Sequence, residues 1–200
     1  MIYLIRHGET AWNAAGRFQG QLDSPLTLRG IDQVRGNAAT LRREIEDLDA
    51  FSLVCSPLGR AWQSAVIVAD VLGIARDSMA FDARLKEQSY GRFQGLTLAE
   101  IDAAQPGAWD RREADKWNWQ PPGGESYARL DARVGDWLAE QPSDSKLIVV
   151  CHGVVSRVMR GRYAGLTPEV TMTQHERQDC LWRLDRGRVE TLLAEGLAEN

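Results

Sequence analysis

Two apolar runs in this chain end in the same way, and that repetition narrows the possible folds more than any other feature. Leu4-Ile5 leads into Arg6-His7-Gly8-Glu9-Thr10, and Leu147-Ile148-Val149-Val150 leads into Cys151-His152-Gly153. A strand alternates its side chains between faces, so one that is apolar at every position is buried on both, as in the parallel sheets of α/β proteins. Polar groups are tolerated where such a strand leaves the sheet, and ligands of open α/β sheets bind outside those carboxyl ends. If the two strands are parallel neighbours, His7 and His152, two of the three histidines, emerge at one edge and face one site. Arg6 adds a guanidinium able to hold an anion bidentately, and an imidazole that titrates near neutral pH serves as nucleophile or base. A lone Arg-His-Gly tripeptide reads as a hydrogen-bonded strand cap; the second ending of the same kind gives it weight.

The rest of the chain alternates strands with helices. Ala11 to Leu26, rich in Gly, Asn, Gln and Asp and containing Asp23-Ser24-Pro25, reads as a long loop. Leu28, Ile31, Val34, Ala38, Leu41 and Ile45 then recur at helical spacing behind a capping Thr27. Phe51 to Cys55 is a short strand stopped by Ser56-Pro57, and a helix through Trp62, Ala65, Val66, Ala69 and Leu72 closes at Gly73. Arg60 sits at or just inside that helix start, where its charge adds to a dipole that already favours anions. Met79 to Leu85 predicts a strand, followed by a glycine-punctuated loop from Glu87 to Gly95 and a helix over Leu98 to Ala104. Tyr127 to Leu138 predicts a helix begun by Ser126 or Glu125, and another runs through Val155, Val158 and Met159. The alternation implies a mainly parallel sheet with right-handed crossovers, and Cys180 to Leu184 with Val189 to Leu193 suggests an antiparallel hairpin at its edge. No linker or internal repeat appears, so the 200 residues read as one domain.

Gly107 to Gly124 is the unusual segment. It holds Trp109, Trp117 and Trp119 among Arg111, Arg112 and Lys116, balanced by Asp110, Glu113 and Asp115, and ends in Pro121-Pro122-Gly123-Gly124. A lid whose Trp117 or Trp119 meets the substrate and a packed insert are both open readings. A net charge of -4 provides no basic footprint for nucleic acid, and no apolar run approaches the ~20 residues of a membrane span. The start of the chain lacks a signal-peptide pattern, so a cytoplasmic location is expected. Cys55, Cys151 and Cys180 are widely separated and odd in number, which suggests buried thiols, and the few histidines lack metal-ligand spacing. A metal-free, cofactor-free mechanism is expected.

Four separated motifs resemble the histidine phosphatase superfamily, the phosphoglycerate-mutase-like proteins. Arg6-His7-Gly8-Glu9-Thr10 with Trp12-Asn13 and Arg17-Phe18-Gln19-Gly20, continued by Leu26-Thr27 to Gly30, is similar to the opening signature. Ser56-Pro57-Leu58 with Arg60-Ala61 and Gln63-Ser64-Ala65 is similar to the second, Glu87 with Gly91 and Gly95 to the third, and His152-Gly153 to the fourth. Ser64 stands where threonine is usual, Gln94 where an acidic residue is common, and Cys151 where a small residue often precedes the histidine; none of these removes a reactive group. The resemblance implies a three-layer α/β sandwich around a mainly parallel, mixed sheet. It also implies a phosphohistidine formed on His7, with the other ring nitrogen held by a backbone carbonyl. Arg6, Arg60 and His152, assisted by Asn13, would bind the phosphoryl oxygens, Gln19 and Gly20 would be further substrate-binding positions, and Glu87 would act as acid and then base. The implied activity is hydrolysis of a small phosphorylated metabolite. The alternatives are a phosphoglycerate-type mutase, which in its dimeric form is longer and has a basic insertion, and a non-catalytic phospho-ligand scaffold, which should have lost His7 or Glu87. The terminal hairpin offers exposed strands that could pair in a homodimer.

Overall fold

A computed structural model describes residues 1–194. The elements run β1 (Ile2–Arg6), α1 (Ala11–Ala14), α2 (Leu28–Glu44), β2 (Ser52–Cys55), α3 (Gly59–Leu72), β3 (Ala80–Phe81), α4 (Leu98–Ala104), α5 (Ala108–Ala114), α6 (Tyr127–Ala139), β4 (Leu147–Cys151), α7 (Gly153–Tyr163), α8 (Pro168–Thr173), β5 (Cys180–Asp185) and β6 (Arg188–Leu193). They form one six-stranded sheet in the order β3-β2-β4-β1-β5-β6. β3, β2, β4 and β1 are mutually parallel, and β5 and β6 are antiparallel additions at the β1 side.

Strand periodicity sorts the core into two faces. Ile2, Leu4, Leu147, Val149, Cys151, Trp182 and Leu184 face α6 and α7, where they meet Leu130, Val134, Trp137, Val155 and Val158. Tyr3, Ile5, Leu53, Cys55, Ile148, Val150 and Leu181 face the other way, onto Val34, Ala38 and Leu41 of α2 and Ala65, Val68 and Ala69 of α3. The result is the three-layer sandwich expected from the sequence. The caps are those the residues dictate: Thr27 Oγ1 accepts from Gly30 N at 3.0 Å, Ser126 Oγ from Arg129 N at 3.3 Å, and Gly73 ends α3 at φ 74°.

Three local readings change. The strand expected over Met79 to Leu85 is only the pair Ala80–Phe81; Asp82 then caps a 3-10 turn, its carboxylate accepting from Arg84 N at 2.8 Å. The loop after Thr10 begins with a helical turn, α1, held by a capping box between Thr10 and Asn13. Helix α8, begun by Thr167 and Pro168, was not read from the sequence at all.

The segment from Gly107 to Gly124 packs as an insert. Trp117 stacks on Tyr127 at 6.0 Å, Trp119 on Phe93 at 6.0 Å, and Trp109 leans on Phe18 at 5.2 Å with the Arg112 guanidinium over its ring at 4.3 Å. Phe93, Ile101 and Ala108 form a small separate core beneath Trp119. The three tryptophans are half-buried against these partners.

Candidate active site

Cα register explains why the two histidines meet. β1 pairs with β4 from Ile2 against Leu147 to Arg6 against Cys151, and His7 N donates to Cys151 O at 3.0 Å. Both chains then leave the sheet together, and the rings of His7 and His152 lie 5.2 Å apart at 62°. β2 is the neighbour of β4 on the other side, so its exit delivers Ser56 and the start of α3, with Arg60, to the same edge.

His7 lines a cleft of about 250 Å³ with Arg6, Asn13, Gln19, Gly20, Arg60 and Glu87. Its Nδ1 is 2.7 Å from Gly8 O, which fixes the tautomer: Nδ1–H donates, and Nε2 keeps its lone pair. Arg60 Nε donates to that Nε2 at 3.1 Å. Burial first, then Arg60 and Arg6, push the His7 imidazole well below its ordinary pKa, so the ring is neutral where a nucleophile is needed.

Arg60 is 1% exposed, which an arginine tolerates only when its donors are satisfied. Nη1 donates to Leu22 O at 2.7 Å and Asp23 Oδ1 at 2.9 Å, and Nη2 to Gly20 O at 2.7 Å. Asp23 also accepts from Gly59 N at 2.7 Å, tying the loop to the first turn of α3. Gly20 allows this approach at φ 54°.

His152 is buried behind His7 and does not form part of the cleft wall. Ser56 Oγ accepts from Leu58 N at 3.3 Å and lies 2.7 Å from His152 Nε2. With the hydroxyl proton directed at Nε2, the proton of the neutral ring belongs on Nδ1, and Nδ1 has no partner. Burial, followed by Arg60, His7 and Arg6, holds this imidazole well below its ordinary pKa as well. Arg6 Nε is likewise buried without a partner, while Arg6 Nη1 donates to Glu176 O. Two orphaned donors in one cluster are what an anion site looks like before its anion arrives.

Glu87 is buried at the N-terminus of α7. Oε1 accepts from Gln88 N at 2.9 Å and Val155 N at 3.3 Å, and Oε2 from Val154 N at 3.3 Å. Burial and then the neighbouring Glu176 raise its pKa, against the opposing pull of Arg60 and the backbone donors. Asn13 Oδ1 accepts from Thr10 N at 3.1 Å and Gln178 Nε2 at 3.3 Å, which turns its amide NH2 outward as a donor. Gln19 Oε1 accepts from Ser24 Oγ at 3.2 Å.

The structure therefore brings Arg6, His7, Asn13, Gln19, Gly20, Arg60 and Glu87 to one cleft, with His152 just beneath it. Trp117 and Trp119 are not among its walls; their rings are engaged by Tyr127 and Phe93. His175 is exposed and contributes only its carbonyl, to Arg160 Nη2 at 2.7 Å. Sequence reasoning missed Tyr90, Glu176 and Ser56 as site residues. Among the described residues, no group of three or more His, Cys, Asp or Glu side chains could hold a metal ion, and no helix is long and apolar enough to cross a membrane.

The fold is that of a three-layer α/β protein, with His7, Arg6 and Arg60 at one cleft beyond the strand ends and His152 beneath it. The profile of the histidine phosphatase superfamily (branch 1) matches residues 2–190, and the chain belongs to that superfamily. It is 32% identical over 188 residues to a protein of Erwinia tasmaniensis named "Probable phosphoglycerate mutase GpmB", covering 92% of this chain and 84% of that one. Among solved structures, a mycobacterial glucosyl-3-phosphoglycerate phosphatase is 29% identical with a TM-score of 0.74, covering 96% of each chain. An alpha-ribazole phosphatase from Shigella flexneri, at 23% identity, shares the fold with a TM-score of 0.79 over 100% of this chain and 99% of that one.

Proposed function

We propose that the protein is a phosphomonoester hydrolase that acts on a small phosphorylated metabolite through a phosphohistidine on His7. The observation that carries this reading is the His7 ring itself: Nδ1 is committed to Gly8 O, and Nε2, on the cleft side, is met by Arg60 Nε. In the first step the Nε2 lone pair attacks phosphorus, the bond from phosphorus to the ester oxygen breaks, and the departing alkoxide takes the proton of Glu87. In the second, the Glu87 carboxylate takes a proton from water, the water oxygen attacks phosphorus, and the P–N bond breaks to restore His7. The raised pKa of Glu87 supports the acid role, and general acid-base catalysis contributes about 100-fold to 10,000-fold.

Arg60 Nε, released from Nε2 as that atom bonds to phosphorus, turns to a phosphoryl oxygen; Arg6 Nε, His152 Nδ1–H and the Asn13 amide supply further donors. These fixed groups meet the charge of the loose transition state, a task that metal ions perform in other phosphoryl-transfer sites. A mutase reading is favoured by the names of the Erwinia and Yersinia relatives, "Probable phosphoglycerate mutase GpmB". Incubation with 3-phosphoglycerate separates the two, since hydrolysis yields inorganic phosphate and mutase action yields the 2-phospho isomer. Acid-labile phosphate trapped on His7 during aryl phosphate turnover, with activity retained in EDTA, is the expected result. Substantial turnover by folded His7→Ala protein refutes the mechanism.

A further inference from the structure

The wall of the cleft contains a carboxylate that the proposed reaction does not use. Glu176 lies on the segment between α8 and β5, and that segment is strapped to the body along its backbone. Arg157 Nε donates to Gln174 O at 2.9 Å, Arg160 Nη2 to His175 O at 2.7 Å, Arg6 Nη1 to Glu176 O, and Asn37 Nδ2 to Gln178 O at 3.0 Å. Gln178 Nε2 closes the strap by donating to His7 O at 3.1 Å. The side chain is fixed too: Oε1 pairs with Arg157 Nη2 at 3.0 Å, and Arg157 Nη1 is itself held by Tyr127 Oη at 2.8 Å.

The other oxygen lies deep in the site. A methyl group built on Gly153, the first residue of α7, would come within 2.7 Å of Glu176 Oε2 and 3.2 Å of Arg6 Cζ. The carboxylate therefore sits beside the phosphoryl-binding arginine and close enough to Glu87 to act on its proton affinity. It lines the same cleft as His7, Arg60 and Glu87.

The other cations of the wall already have carboxylate partners. Arg60 is paired with Asp23 at 2.9 Å, and Arg17 with Glu100 at 2.7 Å. Of the cations lining the cleft, Arg6 alone has no carboxylate partner among the described residues, and the phosphoryl group takes its charge. Arg112 and Lys116 stand outside the lining, the former engaged with Glu113 and Trp109. A hydroxyl can donate to Glu176 Oε2; a carboxylate in the same place meets a like charge.

We propose that Glu176, clamped by Arg157 against Gly153 and Arg6, makes the site selective for phosphate esters of uncharged, hydroxyl-bearing alcohols of the polyol or sugar type, and against esters with a carboxylate beside the phosphate. This rests on the hydrolase reading above for its reaction, not for its selectivity.

The test is a matched pair, sn-glycerol 3-phosphate and 3-phosphoglycerate, which share a skeleton and differ by CH2OH against carboxylate at one end. Any effect of Glu176 on Glu87 falls on both and cancels in the ratio. Wild-type kcat/KM should favour glycerol 3-phosphate by about tenfold or more, the factor that about 1.4 kcal/mol of like-charge repulsion represents. Glu176→Gln should reduce that ratio by about tenfold, and Glu176→Asp, which keeps the charge, should retain a preference for the polyol ester. Calorimetry of the same pair on His7→Ala protein reads the selectivity without turnover, so a lack of hydrolysis overturns the catalytic reading alone. Equal affinities, a wild-type preference for 3-phosphoglycerate, or a ratio unmoved by Glu176→Gln overturns the role of Glu176.

Discussion

Ser56 offers a sharp test of how the second histidine works, because it acts on the proposed reaction only through His152. Its hydroxyl is fully buried, accepts from Leu58 N at 3.3 Å and lies 2.7 Å from His152 Nε2. In Ser56→Ala the Nε2 lone pair loses its donor in a place that water does not reach, and the ring is no longer held with its proton on Nδ1. A buried polar group left unpaired costs about 1–3 kcal/mol. The transition state still favours the Nδ1–H form, so the catalytic penalty is the lost tautomer bias, about 1–2 kcal/mol, or roughly 5-fold to 30-fold in kcat/KM. Removing the donor outright with His152→Ala should cost more, about 100-fold to 1,000-fold. Steady-state turnover of an aryl phosphate measures the rates, and 15N chemical shifts of the His152 ring report where the proton sits. Ser56→Thr, which keeps the hydroxyl, should hold the wild-type nitrogen shifts and recover activity. Full activity in folded Ser56→Ala protein, or ring nitrogens that do not move, would refute the reasoning.

Glu87→Gln should slow alkyl phosphates about 100-fold or more relative to activated aryl phosphates, which need less proton donation, and should remove the high-pH fall of the kcat/KM profile; equal losses on both classes would move the proton to another group. Acid should destabilise the protein through His7 and His152, both held well below 6.5 by burial. Below pH 6.5 the unfolded chain binds protons that the fold refuses, so stability drops as pH falls, by up to about 1.4 kcal/mol per pH unit for each ring, while raised Glu87 acts oppositely above pH 4.5. Urea midpoints between pH 7.5 and 5.5 measure that slope, and it should flatten in His152→Gln. Gly30→Ala should cost about 1–3 kcal/mol and reduce activity, because a Cβ there would meet Glu9 O at 2.1 Å across backbone that places His7; thermal melting and aryl phosphate turnover check both parts.

The strands that position the site were legible because their two-sided burial leaves an apolar signature, and the exits at His7 and His152 broke it visibly. Arg60, whose place at a helix start by itself reads as a solvated surface arginine, depended with Asn13, Gln19, Gly20 and Glu87 on the resemblance of whole motifs. Glu176 was not legible: it lies in a polar stretch, Gln174 to Asp179, and its place is set by arginines of α7 and by Arg6, none of which is near it in sequence. Asp23 read as turn chemistry because Asp-Ser-Pro is a turn, and its carboxylate also serves the buried Arg60. The insert was ambiguous for the opposite reason. Tryptophans suit a lid and a small core equally, and only their partners, Tyr127, Phe93 and Phe18, decide which.

The charge of the cleft follows from the same packing. Two arginines and two imidazoles in one dry pocket would repel one another strongly if all four were cations. Burial and the arginines keep both rings neutral, so the positive charge is that of Arg6 and Arg60, and Asp23 offsets part of the latter. Glu87, with its raised proton affinity, adds little negative charge when it holds its proton as the acid. What remains is the charge of the two guanidiniums, with the Glu176 carboxylate beside Arg6, and neutral donors whose directions are already set: His152 Nδ1–H through Ser56 and the Asn13 amide through Thr10 and Gln178. A phosphoryl group entering this pocket finds dipoles that do not have to reorganise, and that is the condition under which hydrogen bonds in a low-dielectric site lower a barrier instead of only binding the ground state.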